Sequence, residues 1–314
     1  MSETADDGDE SEHDDLSDGT GDDRRAGAVG DDGATPDDRF VPAIDCHVHL
    51  MPERLVAAIR GALHDEAGWE FPHPSDREPM ERTLRAAGVE RYCALPYAHK
   101  PAIARELNEW VLARSAESEM VVPFATVHGD DPVEEVVREA FEAGARGLKF
   151  QCPVQRLAPD DPRLDPAYEL AAEYDRSVLF HGGTAPMFEA SPYVGVERFE
   201  AFVDSYPDVR ACCAHMGTFQ HEQFLDVLAE NEHVYLDTCF AMSSAVGESM
   251  AFDPSEIPDS AFVEHADRIM YGSDYPNIPH SYESEREHLL GRDLPGETYR
   301  DLFHDTAERF LGER

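Results

Sequence analysis

The run Ile44-Asp45-Cys46-His47-Val48-His49-Leu50 places two histidines two residues apart at the end of an apolar stretch. On a β-strand, residues i and i+2 face the same way, so His47 and His49 would aim both imidazoles at one point. A neutral imidazole nitrogen is a good ligand for zinc and its neighbours, and the pair therefore suggests a divalent metal. Alone it is a weak signal in a chain with 15 histidines. Further groups able to bind metal or move protons recur at the ends of later apolar runs, and they strengthen it. These are Lys149 in Gly147-Leu148-Lys149, His181 in His181-Gly182-Gly183, His215 in Ala214-His215-Met216-Gly217, and Asp274 in Gly272-Ser273-Asp274-Tyr275-Pro276.

Each residue type suits a role. His181 reads as a metal ligand, with two glycines that let a ligand approach closely. His215 reads as a second-metal ligand or a free acid/base. Asp274 is able both to bind metal and to accept a proton from a water whose pKa a metal lowers from about 15.7 to near 7. The bland alternatives are hydrogen-bonded structural histidines and, for Asp274, a loop turn or helix cap. Lys149 is one of only two lysines. A lysine at the end of a buried strand costs free energy unless paired or modified. It could carry a carbamate bridging two metals, hold a substrate carboxylate, form a Schiff base or pair with a buried acid.

The elements that must position these groups alternate. Short β-type runs fall at 42–47, 89–95, 120–126, 145–150, 177–181, 209–215, 233–238 and 268–273. Helical stretches fall at 78–87, 101–118, 132–143, 164–174, 196–205, 219–230, 258–266 and 296–311. Asp131-Pro132 and Asp161-Pro162 suit helix starts, and Gly88 and Gly144 suit stops. Alternating βα units imply a parallel sheet with right-handed crossovers. Eight units fit an α/β fold of the (β/α)8 TIM-barrel type, whose chemistry sits at the C-terminal ends of the strands. An open doubly wound sheet would normally show a glycine-rich phosphate turn after its first strand, where this chain has its histidine pair.

Composition sets further bounds. The chain has 314 residues and a formal net charge of −40. So acidic and lysine-poor a surface suits a cytosol of very high salt and suggests a halophilic source. It argues against nucleic acid as a partner. Residues 1–40 are low-complexity Asp, Glu, Gly, Ser and Thr, and read as a disordered acidic tail before a barrel domain at 41–314. Six cysteines without a CxxC pair, no secretory segment and no membrane-length apolar run point to a reduced, cytoplasmic protein without membrane partners.

Taken together, DxHxHL, GLK, HGG, AHMG and GSDYP at strands 1, 4, 5, 6 and 8 resemble the amidohydrolase superfamily. The nearest branch is the amidohydrolase 2 group of metal-dependent barrels, which holds hydrolases, lactonases and decarboxylases like aminocarboxymuconate semialdehyde decarboxylase. The resemblance spans about 41–311, including Thr306-Ala307-Glu308-Arg309-Phe310 near the end. It implies His47, His49, His181 and Asp274 as ligands of one metal, and His215 as the acid/base or electrophilic residue. Many relatives read Lys-x-His-Pro at strand 4, where this chain has Lys149-Phe150-Gln151-Cys152-Pro153; a further histidine function is absent there.

The resulting expectation is a hydrolase cleaving an amide, lactone or ester of a small molecule. It would use one divalent metal, zinc first among candidates, or two if Lys149 bridges them. Non-oxidative decarboxylation of a small carboxylic acid and a non-catalytic metal-binding barrel are the alternatives; a metal-dependent nuclease is disfavoured by the charge. Arg156 is a candidate clamp for a substrate carboxylate. Trp69, with Phe71, His73, Tyr97, Phe188, Tyr193, Phe240 and Tyr275, is a candidate for the pocket wall. A homodimer or higher homo-oligomer is expected from the branch.

Overall fold

The computed structural model describes residues 44–185, Met187 and 191–314. The acidic tail and Phe188 lie outside these residues. Eight parallel strands pair in the order in which they occur along the chain. They are β1 (Ile44–Val48), β2 (Arg91–Ala94), β3 (Val121–Ala125), β4 (Gly147–Phe150), β5 (Ser177–Phe180), β6 (Ala211–Cys213), β7 (Val234–Asp237) and β8 (Ile269–Met270). The sheet closes on itself beyond the short β8. Cys46 N donates to Tyr271 O (3.0 Å), Asp274 N to His47 O (2.9 Å) and His49 N to Tyr275 O (2.7 Å). All eight strands expected from the sequence are present, and the architecture is the (β/α)8 barrel.

Alternation of side chains along the strands makes two apolar layers. Ile44, Cys46, Cys93, Leu95, Val122, Phe124, Leu179, Cys212, Tyr235 and Met270 fill the interior, with Phe310 and Leu311 of the last helix against them. The opposite faces of the strands, including Val48, Ala94, Leu148, Phe180 and Leu236, join the larger core under the helices. All six cysteines are buried and free, as their apolar neighbours in sequence suggest.

Helices also form outside the stretches expected to be helical, among them Glu53–Ala67 and Ser284–Leu290. The first has only Val56 fully buried. Its helical character therefore shows little of the apolar periodicity that marks a core-facing helix. The expected final helix 296–311 is helical through to Phe310, with one turn of π-helix at Asp301–Asp305. No helix among the described residues is long and apolar enough to cross a membrane.

Candidate metal and proton-transfer site

The register of β1 against β2 shifts between Asp45 and Val48. Such irregularities re-aim side chains next to functional sites. Here Cys46 stays with the interior layer, Val48 joins the outer core, and His47 and His49 turn into the mouth of the barrel. Gly272 makes room for this. A Cβ there would lie 2.8 Å from the Cβ of His47.

His47, His49 and Asp274 come together, each offering a ligand atom within 4.8 Å of the others. Asp274 Oδ1 lies 2.9 Å from His49 Nε2 and 3.4 Å from His47 Nε2. The far nitrogens are anchored. His47 Nδ1 meets Asp237 Oδ2 at 2.8 Å, and His49 Nδ1 meets the carbonyl of Leu95 at 2.9 Å. Both partners accept, so a neutral ring carries its proton on Nδ1 and turns an Nε2 lone pair toward Asp274; when His49 also carries a proton on Nε2, that nitrogen donates to the carboxylate. A carboxylate or carbonyl behind a ligating imidazole is the usual support of a metal ligand. Two lone pairs and a carboxylate converging on one point are a donor set that fits a divalent cation.

Electrostatics agree. Burial, then the positive charge of Lys149, holds His47 well below the usual histidine range. Burial, then His215, does the same to His181. Metal binding requires neutral imidazole, and these environments favour it. Burial pushes the Asp274 carboxyl up, but the hydrogen bond from His49 and the charges of His49, His47 and His215 outweigh it. The group stays below the ordinary carboxylate range and is ionised.

Lys149 is fully buried, with Nζ 3.2 Å from His47 Nε2. Burial lowers its pKa against the pull of Asp237, Cys239 and Asp274. His181 stands beside the three-residue cluster rather than within it: its Nδ1 is 2.9 Å from His215 Nε2. His215 Nδ1 in turn faces the carbonyl of Cys239 at 3.1 Å. An accepting carbonyl fixes the proton on His215 Nδ1. Its Nε2 then accepts from His181 Nδ1, which leaves His181 Nε2 as a lone pair. The two histidines form one oriented chain.

Asp237, at the end of β7, was not singled out by the sequence. It is fully buried. Besides His47 it accepts from the amides of His215 (2.9 Å) and Cys239 (3.2 Å). The available signal was a carboxylate closing an apolar strand, the same signal that marked Asp274.

A cavity of about 200 Å³ opens above these groups. His49, His181, His215 and Asp274 form its polar floor; Ile59, Leu63, Trp69, Tyr97, Met187 and Phe240 are among its apolar walls. Trp69 stacks on Phe240, ring centroids 5.2 Å apart. Gln151 also lines the cavity. Among the described residues no arginine or lysine does. Arg156 caps the short helix Cys152–Gln155 with φ 55° and lines a neighbouring surface pocket with His99, Lys100 and His128.

Comparison with known proteins places the family and the fold. The amidohydrolase family profile matches residues 44–312, and the chain belongs to that family. No curated protein matches it. Among solved structures, an uncharacterised TIM-barrel protein from Bordetella bronchiseptica is 18% identical, over 86% of this chain and 98% of that one, with a TM-score of 0.65. A 5-carboxyvanillate decarboxylase from Novosphingobium aromaticivorans, solved with bound manganese, is 15% identical over 87% and 97%, TM-score 0.56. A candidate 2-pyrone-4,6-dicarboxylic acid hydrolase from Pseudomonas putida is 18% identical over 87% and 98%, TM-score 0.57. At these identities the likeness speaks to the fold.

Proposed function

We propose that this protein is a metal-dependent hydrolase of a small amide, lactone or ester. The observation that carries the reading is the convergence of His47, His49 and Asp274 beside the His181–His215 chain, on the floor of a largely apolar cavity. His47, His49 and Asp274 would hold the cation, with His181 as the adjacent fourth donor. A divalent cation there supplies Lewis-acid polarisation and makes water nucleophilic at neutral pH.

The chain's own groups do the rest. Asp274, kept ionised by its histidine neighbours, accepts the proton released from water and returns it to the leaving group. His215 faces the cavity and, through its fixed tautomer, presents Nε2 as a base that takes up a proton. The apolar walls exclude competing water.

Non-oxidative decarboxylation is the second reading, favoured by the cationless lining. A substrate carboxylate in that cavity finds no guanidinium or ammonium on the walls among the described residues. Losing it as carbon dioxide removes a charge that the apolar walls do not stabilise.

The test is turnover in molar salt with zinc or manganese, on a panel of lactones, aryl esters and aryl carboxylates. Metal-dependent release of acid from the esters or lactones, abolished by chelator, is the expected result. Carbon dioxide release alone would replace the first reading with the second. Metal bound without turnover of any class would support the non-catalytic barrel.

A further inference from the structure

Glu285 is buried, carries a carboxylate, and takes no part in the cavity floor. A buried carboxylate is costly unless its oxygens are satisfied. Both oxygens here have partners. Oε1 meets His280 Nε2, and Oε2 accepts the amide of Phe240 at 2.8 Å. His280 Nε2 also lies 3.1 Å from Ser243 Oγ, and its backbone carbonyl is 2.6 Å from His73 Nε2. The carboxylate thus ties the segment after β8 to the segment after β7.

The amide of Phe240 and the carbonyl of Cys239 belong to one peptide unit. That carbonyl is the group that orients His215 Nδ1, at 3.1 Å. The unit is therefore gripped from both sides, by a carboxylate on its N–H and an imidazole on its C=O. Phe240 is held at φ 58°, a conformation that bulky residues rarely adopt. The Ala241 amide closes the turn onto the Cys239 carbonyl at 2.5 Å, and Glu285 places a carboxylate on the Phe240 amide. A charge-assisted bond to the N–H strengthens the C=O as an acceptor, because hydrogen bonds in series polarise one another. The thiol of Cys239 points to Asp237 Oδ1 at 2.7 Å, so its sulfur presents a lone pair to His215 as well. Every group facing His215 Nδ1 then accepts.

We propose that Glu285 is a positioning residue for His215. Acting through the Cys239–Phe240 peptide, it keeps the imidazole in the tautomer that carries its proton on Nδ1 and offers Nε2 to His181 and the cavity. The proposal rests on the reading of His215 as the group that handles protons in the site. The same peptide sets the Phe240 ring against Trp69, so the wall of the cavity and the tautomer of His215 share one support.

The test is two-bond proton–nitrogen NMR of the full chain, labelled with nitrogen-15 histidine and loaded with zinc in molar salt. The signals of His215 are identified by their loss in His215→Gln. In the unsubstituted protein His215 should show a protonated Nδ1 and an unprotonated Nε2. In Glu285→Leu both nitrogens should move toward the averaged position of a ring exchanging between tautomers, with zinc stoichiometry unchanged. Glu285→Gln keeps an accepting oxygen but loses the charge, and should move them part of the way. Wild-type His215 shifts in a folded, zinc-loaded Glu285→Leu would overturn the proposal, as would an Nε2-protonated His215 in the unsubstituted protein. If Glu285→Leu does not fold, unchanged shifts in Glu285→Gln overturn it equally. A wild-type tautomer that responds as expected, in a protein with no turnover on any substrate, would instead sink the enzymatic reading and leave the coupling standing.

Discussion

The two ends of the barrel are built from the same eight strands and obey opposite rules. Where the strands begin, the interior is sealed by packing. Phe310 stacks on Phe124 at 6.3 Å and meets Tyr235 at 5.3 Å. The fit is close enough that a Cβ on Gly147 would lie 2.4 Å from the Phe124 ring. Where the strands end, the interior is polar and its backbone is strained. Of the eight non-glycine residues with positive φ among those described, seven lie in segments that leave a strand; only Asp175 lies in one that leads into a strand. His215, Phe240 and Asp274 are three of the seven. Strain of this kind costs of order 1–3 kcal/mol per residue and persists only where surroundings enforce it. The sealed end supplies stability, and the strained end spends some of it to aim side chains.

That contrast is open to test from both sides. The largest effect should come from Asp274→Asn, which removes the anionic donor. Elemental analysis should find the metal lost and turnover reduced to background, while the circular dichroism spectrum is unchanged. His215→Asn should leave the metal in place and lower kcat by about 10²–10⁴-fold, the usual worth of a positioned acid or base. A similar loss of metal would show that His215 is itself a ligand. At the sealed end, Phe310→Ala should cost about 3–5 kcal/mol in denaturant unfolding with metal stoichiometry intact.

Asp237→Asn lies between the two kinds of effect. It keeps the shape but weakens the support behind His47, and should reduce metal affinity about 10–100-fold in a competition titration. Smallest is Arg105→Ala at the surface. Arg105 reaches Glu139 at 2.7 Å and Glu135 at 2.5 Å, but its side chain is 42% exposed. Exposed pairs are worth about 0–1 kcal/mol and less in salt, so thermal unfolding in molar salt should hardly move.

The sequence made one half of this contrast far easier to read than the other. The alternation of apolar runs with helical stretches was enough to place all eight strands, because each strand is a short, almost wholly buried run. His47 and His49 stood out through spacing that only a strand makes meaningful. Asp237 and Glu285 did not. A carboxylate after a strand or in a short helix looks like a cap until three-dimensional contact shows what it supports. Arg156 sits seven positions beyond Lys149 in sequence and, after a left-handed turn, lines a neighbouring pocket, a placement that spacing alone does not give. The helix Glu53–Ala67 was missed because it buries so little.

The most direct test of the central claim is the location of the metal itself. Crystals of the full chain grown with manganese or zinc would be measured for anomalous scattering. The account predicts a peak about 2.0–2.2 Å from His47 Nε2, His49 Nε2 and Asp274 Oδ1, with His181 Nε2 turned toward it. A peak only at the half-buried cluster of His304, Asp305 and Glu308, or none at the barrel mouth, would contradict it.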